Sequence, residues 1–91
     1  MRFSWDEAKN NKLKKDLRCG LSFEKVVTLF GYRYYMDQSN DDPEQFHAIG
    51  FVEDRLITLI FEVRFDKEGE YNHLITYWPS TKTERALYEK G

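Results

Sequence analysis

Residues 45–65, QFHAIGFVEDRLITLIFEVRF, read as two strands joined by a turn. Glu53 and Asp54 interrupt two runs rich in Ile, Val and Phe, the composition of paired strands. Successive side chains of a strand point to opposite faces. In the second run Ile57, Leu59, Phe61, Val63 and Phe65 therefore share one face. Thr58, Glu62 and Arg64 share the other with Leu56 and Ile60. That alternation describes a central strand with one fully apolar face.

Outward from this hairpin, YRYYM (32–36) is a short aromatic strand, and YNHLITYW (71–78) is the last one, after a DKEGE turn. The acidic DQSNDDPEQ (37–45) reads as a loop. Pro79 cannot donate a ladder hydrogen bond and ends the last strand. Thr81 and Glu84 then form a T-x-x-E capping box at the start of a final helix. On the N-terminal side, Asp6 caps a first helix that Cys19-Gly20 ends, with a thin apolar face of Ala8, Leu13 and Leu17. Ser22 caps a second helix, with Leu21 and Val26 at staple positions. Its stripe of Phe23, Val26, Val27 and Phe30 follows helical spacing until Gly31. The expected fold is α+β: two N-terminal helices, a four-stranded, mainly antiparallel sheet and a C-terminal helix.

The bulk numbers agree with one domain spanning residues 1–91. An aromatic content of 16% supplies large apolar pieces, so an ordered core is expected although 33% of residues are charged. The net charge of -2 argues against DNA binding through an overall positive field. Local segregation exists: Lys9, Lys12, Lys14, Lys15 and Arg18 cluster early, either as a solvated face or as a patch for an anionic partner. The lone Cys19 excludes an internal disulfide. The opening lacks a signal-like apolar run, and no later run is long enough for a bilayer. A cytoplasmic location is the expectation, with no membrane partner.

Metal and phosphate-loop motifs are absent. His47 and His73 lie on different strands, without H-x-x-x-H, C-x-x-C or Gly-rich spacing, so no metal and no cofactor is expected. Cys19 follows Arg18, a cation that lowers a thiol pKa, but a small residue at a helix end is the favoured reading. His73 is the chief candidate. Strict alternation puts it on one face with Tyr71, Ile75 and Tyr77. A histidine near neutrality shuttles protons, a tyrosine assists, and Arg64, Lys82 and Arg85 are cations for a phosphate. That set suits RNA cleavage by the adjacent 2′-hydroxyl, which takes a base, an acid and cationic support without metal. The competing reading makes His73 and Tyr77 half-buried sheet residues. Trp78 is either a stacking platform for a base or packing beneath the last helix.

Taken in order, the motifs resemble the BrnT family of type II toxin–antitoxin toxins. FSWDEAKNNKLKKDLRCGLSFEKVVTLF resembles the family opening at Trp5, Asp6, Lys9, Asn10, Gly20, Ser22, Phe23 and Glu24. Ala48–Gly50 and Arg55-Leu56 resemble its I-G and R-L steps, and Ile75, Thr76, Thr81, Glu84, Arg85, Tyr88 and Glu89 resemble its ending. The chain departs from the family at basic positions. Arg18-Cys19 stands for Lys-His, and Gln45, His73 and Trp78 stand for Arg. The resemblance implies a RelE-like fold and a metal-independent endoribonuclease that inhibits translation. It implies an RNA substrate, and a BrnA-like, DNA-binding antitoxin as partner, with DNA reached only through that antitoxin. Resemblance and local chemistry together make His73, Tyr77 and Arg64 the expected catalytic residues, and Lys82, Arg85, Arg18 and Trp78 the expected substrate contacts. The alternative it leaves open is a decayed module that binds a protein partner without cleaving RNA.

Overall fold

A computed structural model describes all 91 residues. The central hairpin forms as read. Strand β3 (Glu44–Val52) pairs antiparallel with β4 (Arg55–Asp66) through the two-residue turn Glu53-Asp54, with Val52 opposite Arg55. Glu53 takes a φ of 58°, the left-handed region usually filled by glycine in such tight hairpins. To one side lies β2 (Tyr34–Asp41), to the other β5 (Gly69–Pro79), both antiparallel to their neighbours. A short strand β1 (Phe3–Trp5) adds parallel to β5, giving the order β1-β5-β4-β3-β2.

The class is α+β, as expected, with three differences of detail. The sheet has five strands rather than four, because Phe3–Trp5 pairs with residues some seventy positions away, a partner that no local pattern announces. The acidic stretch is mostly strand, not loop. Gln38, Asn40 and Asp41 pair with Phe46, Gln45 and Glu44 around the cis Asp42-Pro43 peptide. Hairpin pairing overrides the weak β preference of Asp, Asn and Ser. The helices are also shorter than read. α1 (Glu7–Lys14) stops well before Gly20, and α2 (Phe23–Val26) passes into a 3₁₀ turn, Val27–Gly31. Asp6 caps α1 at Ala8 N, and Ser22 caps α2 at Lys25 N, as their sequences indicate.

These N-terminal elements cover what is here called the first face of the sheet. Phe23, Val26 and Leu29 are fully buried with Ile57, Leu59, Leu74 and Tyr77. Each such side chain contributes about 1.5–3 kcal/mol by leaving water. Asn10 fastens the layer: its Oδ1 accepts from Phe23 N at 2.7 Å, and its Nδ2 donates to Glu24 Oε1 at 2.9 Å. The layer does not reach the far end of the sheet, so Phe65, expected on the buried face, is 73% exposed. On the opposite, second face lies α3 (Lys82–Lys90), started by the reciprocal Thr81–Glu84 box. Glu84 also accepts from Thr58 Oγ1 and Trp78 Nε1, both at 3.0 Å, which pins the helix to the second face.

Candidate functional site

The site follows from one irregularity in β5. Ile60 pairs with Thr76, but Phe61 pairs with Leu74, so Ile75 is an extra residue, a β-bulge. Alternation resets across it. Asn72 and Leu74 face the core before the bulge, and Tyr77 faces it after. His73, Thr76 and Trp78 are left on the second face, in rows with Glu62, Ile60 and Thr58 of β4.

The expected pairing of His73 with Tyr77 on one face is therefore overturned. Tyr77 is 3% exposed, edge-on to Phe23, and its hydroxyl accepts from Leu21 N at 2.8 Å and donates to Leu21 O at 2.7 Å. Burial pushes its pKa up, so it stays protonated and serves as a core clasp, not a proton-transfer group. Arg18 leaves the site too. It lies in the segment leading to Leu21, with its guanidinium on Asp16 at 3.2 Å and its carbonyl accepting from Arg55 Nη1 at 2.8 Å.

The rest of the set lies on the second face. His73 is half-buried, with Nδ1 2.8 Å from Ser4 Oγ of β1. Its pKa is lowered below the ordinary 6.5, first by burial and then by the Arg64 charge, which outweigh the opposing pull of Glu62. His73 is therefore mostly neutral at pH 7. In the tautomer that donates Nδ1–H to Ser4 Oγ, Nε2 carries the lone pair of a base. Beside it, Glu62 is only 8% exposed and accepts from Arg64 Nε, and from Gln45 Nε2 at 3.4 Å. The Arg64 hydrogen bond holds the Glu62 carboxyl below its usual range. Arg64 itself is exposed at the rim. Lys82 and Arg85 stand exposed on α3 with no ion pair.

Sequence reasoning passed over two groups on this face. One is Glu62 as a site residue; a carboxylate inside LITLIFEV was the available signal, since a buried charge needs partners. The other is His47, whose Nδ1 lies 3.1 Å from Asp37 Oδ1, while Tyr35 donates to the other Asp37 oxygen at 3.2 Å. Its ring stands edge-on to Trp78, centroids 6.4 Å apart. Asp37 is masked in the sequence by its acidic surroundings; only strand pairing puts it opposite His47. The face thus places two histidines, each hydrogen-bonded to a partner, near the carboxylates of Glu62 and Asp37 and the guanidinium of Arg64. Such a surface can take up and release protons beside an anionic substrate.

No protein-family model matches the chain, and no curated protein matches it in sequence. No helix is long and apolar enough to cross a membrane.

Proposed function

We propose that this chain is a BrnT-like toxin with a RelE-like fold, a metal-independent endoribonuclease restrained by an antitoxin. The observation that carries the reading is His73: hydrogen-bonded to Ser4, held below its ordinary pKa first by burial, and placed beside Arg64 on an open sheet face. In this reading His73 Nε2 removes the proton from a ribose 2′-hydroxyl. O2′ then attacks the adjacent phosphorus, and the P–O5′ bond breaks. The products are a 2′,3′-cyclic phosphate and a 5′-hydroxyl. Arg64 offsets charge on the phosphorane, and Lys82 and Arg85 hold flanking phosphates. His47, ordered by Asp37, is the second group on this face able to return a proton to the leaving oxygen. Tyr77 has no part in the chemistry.

The test is cleavage of an end-labelled RNA by the purified chain, with expression in cells as a parallel assay. Wild type is expected to yield cyclic-phosphate ends and to arrest growth, and His73→Ala to abolish both. RNA left intact by the wild type at all concentrations would sink the proposal.

A second reading has its own observation. The Arg64 guanidinium is engaged by Glu62, which leaves less cationic charge for phosphate. The face then binds a protein partner without cleaving RNA. Absence of cleavage together with tight binding to a small cognate protein selects this reading.

A further inference from the structure

The strand order leaves β2 at an edge. Its backbone pairs with β3 on one side only, and none of its amides or carbonyls joins the backbone bonds made outside the ladders. Alternate N–H and C=O groups of such a strand point outward and can pair with another strand. Beside it, the N-terminal layer thins out. Met36, Phe46, Phe61 and Val63 line a concavity of about 240 Å³ there, with Glu44 and Glu70 at its rim. Met1 and Arg2, whose guanidinium is bonded to Asp66, also belong to the lining. Met36 is 45% exposed, and Phe46 stacks on Phe61 with centroids 5.5 Å apart. The edge and the apolar floor are contiguous, because Met36 belongs to both.

We propose that this edge receives an extended peptide segment of a partner protein, added as a sixth strand beside β2, with alternating apolar and basic side chains. Alternation follows from the pleat. Side chains on one side of the added strand fall over Met36 and the floor; those on the other fall beside Asp37. The charge follows from the hairpin. Asp37, Asp41, Asp42 and Glu44 crowd the strand and its turn and leave the edge acidic. Two copies of this chain would bring those carboxylates together, so like charge disfavours self-pairing and opposite charge selects a basic segment. The register shift between Gln38 and Asn40 ends regular pairing, which limits the added strand to about five or six residues. The proposal does not depend on the ribonuclease reading; it concerns a different part of the sheet.

The probe is a fluorescent synthetic peptide, Val-Lys-Val-Arg-Val-Lys. Its controls are a scrambled peptide of the same composition and an alternating Val-Glu peptide. Binding is followed by anisotropy, and amide exchange is measured across residues 34–38. The alternating basic peptide is expected to bind in a salt-weakened manner and to slow exchange there, while both controls bind at least about tenfold less tightly. Met36→Ser and Glu44→Lys, both at exposed positions, are each expected to weaken binding about tenfold with unchanged circular dichroism. Equal binding of the scrambled or acidic peptide would overturn the proposal. So would unchanged affinity in both folded variants. A dimer in light scattering whose formation itself protects residues 34–38 would assign the edge to a second copy instead.

Discussion

The two faces of the sheet hold two titratable rings of β5, Tyr77 and His73, in different ways. On the first face, Tyr77 buries a phenol and satisfies it twice on the Leu21 backbone, within a layer that includes Phe23, Leu59 and Leu74. On the second face, four strides along the same strand, His73 keeps an accessible imidazole against Ser4 and Glu62. Burial acts on both groups and favours the neutral form of each. In Tyr77 that fixes a proton where it is of structural use; in His73 it frees a lone pair. The lesson is that a single inserted residue, Ile75, sends two side chains that strict alternation would put together to opposite faces of β5.

Substitutions on either side of the bulge should break that division of labour unequally. His73→Ala is expected to lower RNA cleavage by about 10²–10⁴-fold, the usual worth of a positioned acid or base, while changing unfolding free energy by less than about 1 kcal/mol. Single-turnover cleavage and urea denaturation on one preparation read the two effects together. Phe23→Ala is expected to do the reverse. It should cost about 3–5 kcal/mol of stability through the cavity it leaves, while the protein that remains folded still cleaves.

Tyr77→Phe sharpens the comparison further. It keeps the ring but strips Leu21 N–H and C=O of their partner, at an expected cost of about 1–3 kcal/mol in urea unfolding. The cleavage pH profile of the folded variant should be unmoved; a displaced profile would return Tyr77 to the chemistry.

The smallest expected effects are electrostatic. The folded-state pKa of His73 is lowered, so as pH falls through the ordinary 6.5 the unfolded chain takes up a proton before the folded one. Its contribution to stability is full above that value and declines below it, toward the folded pKa. Wild type should therefore lose stability more steeply than His73→Gln on acidification through that window, as measured by denaturation at stepped pH. Arg64→Gln removes a charge that lowers the His73 pKa, so the imidazole titration followed by NMR should move upward. A downward movement would place Arg64 outside the electrostatics of the site.

Local signals served well wherever a residue's fate was decided within one turn or one hairpin. Asp6, Ser22 and the Thr81–Glu84 box cap the helices they precede. The Glu53-Asp54 turn and the apolar face of β4 stand as read up to Val63. Arg64 does share a face with His73, and Lys82 and Arg85 lie on the helix pinned to it, whereas strict alternation put Trp78 opposite His73 and only the bulge brings it to the same face. Strict alternation failed at Leu74-Ile75, where two adjacent apolar residues compete for the core and the register of β4 decides between them. The Asp37–His47 pair was illegible for a similar reason: an acidic run that reads as loop becomes strand only when β3 pairs with it.

The sequence by itself determined the α+β class, the caps, the turn at Glu53-Asp54 and the apolar stripe of β4, because each rests on short-range geometry: alternation, helical spacing and the hydrogen bonds of a few adjacent residues. Tertiary structure alone decided that Phe3–Trp5 is a strand, that Tyr77 and His73 part company, and that Ser4 and Glu62 frame the histidine. Those outcomes depend on which distant side chains compete for one buried volume, a choice made only when the layers close.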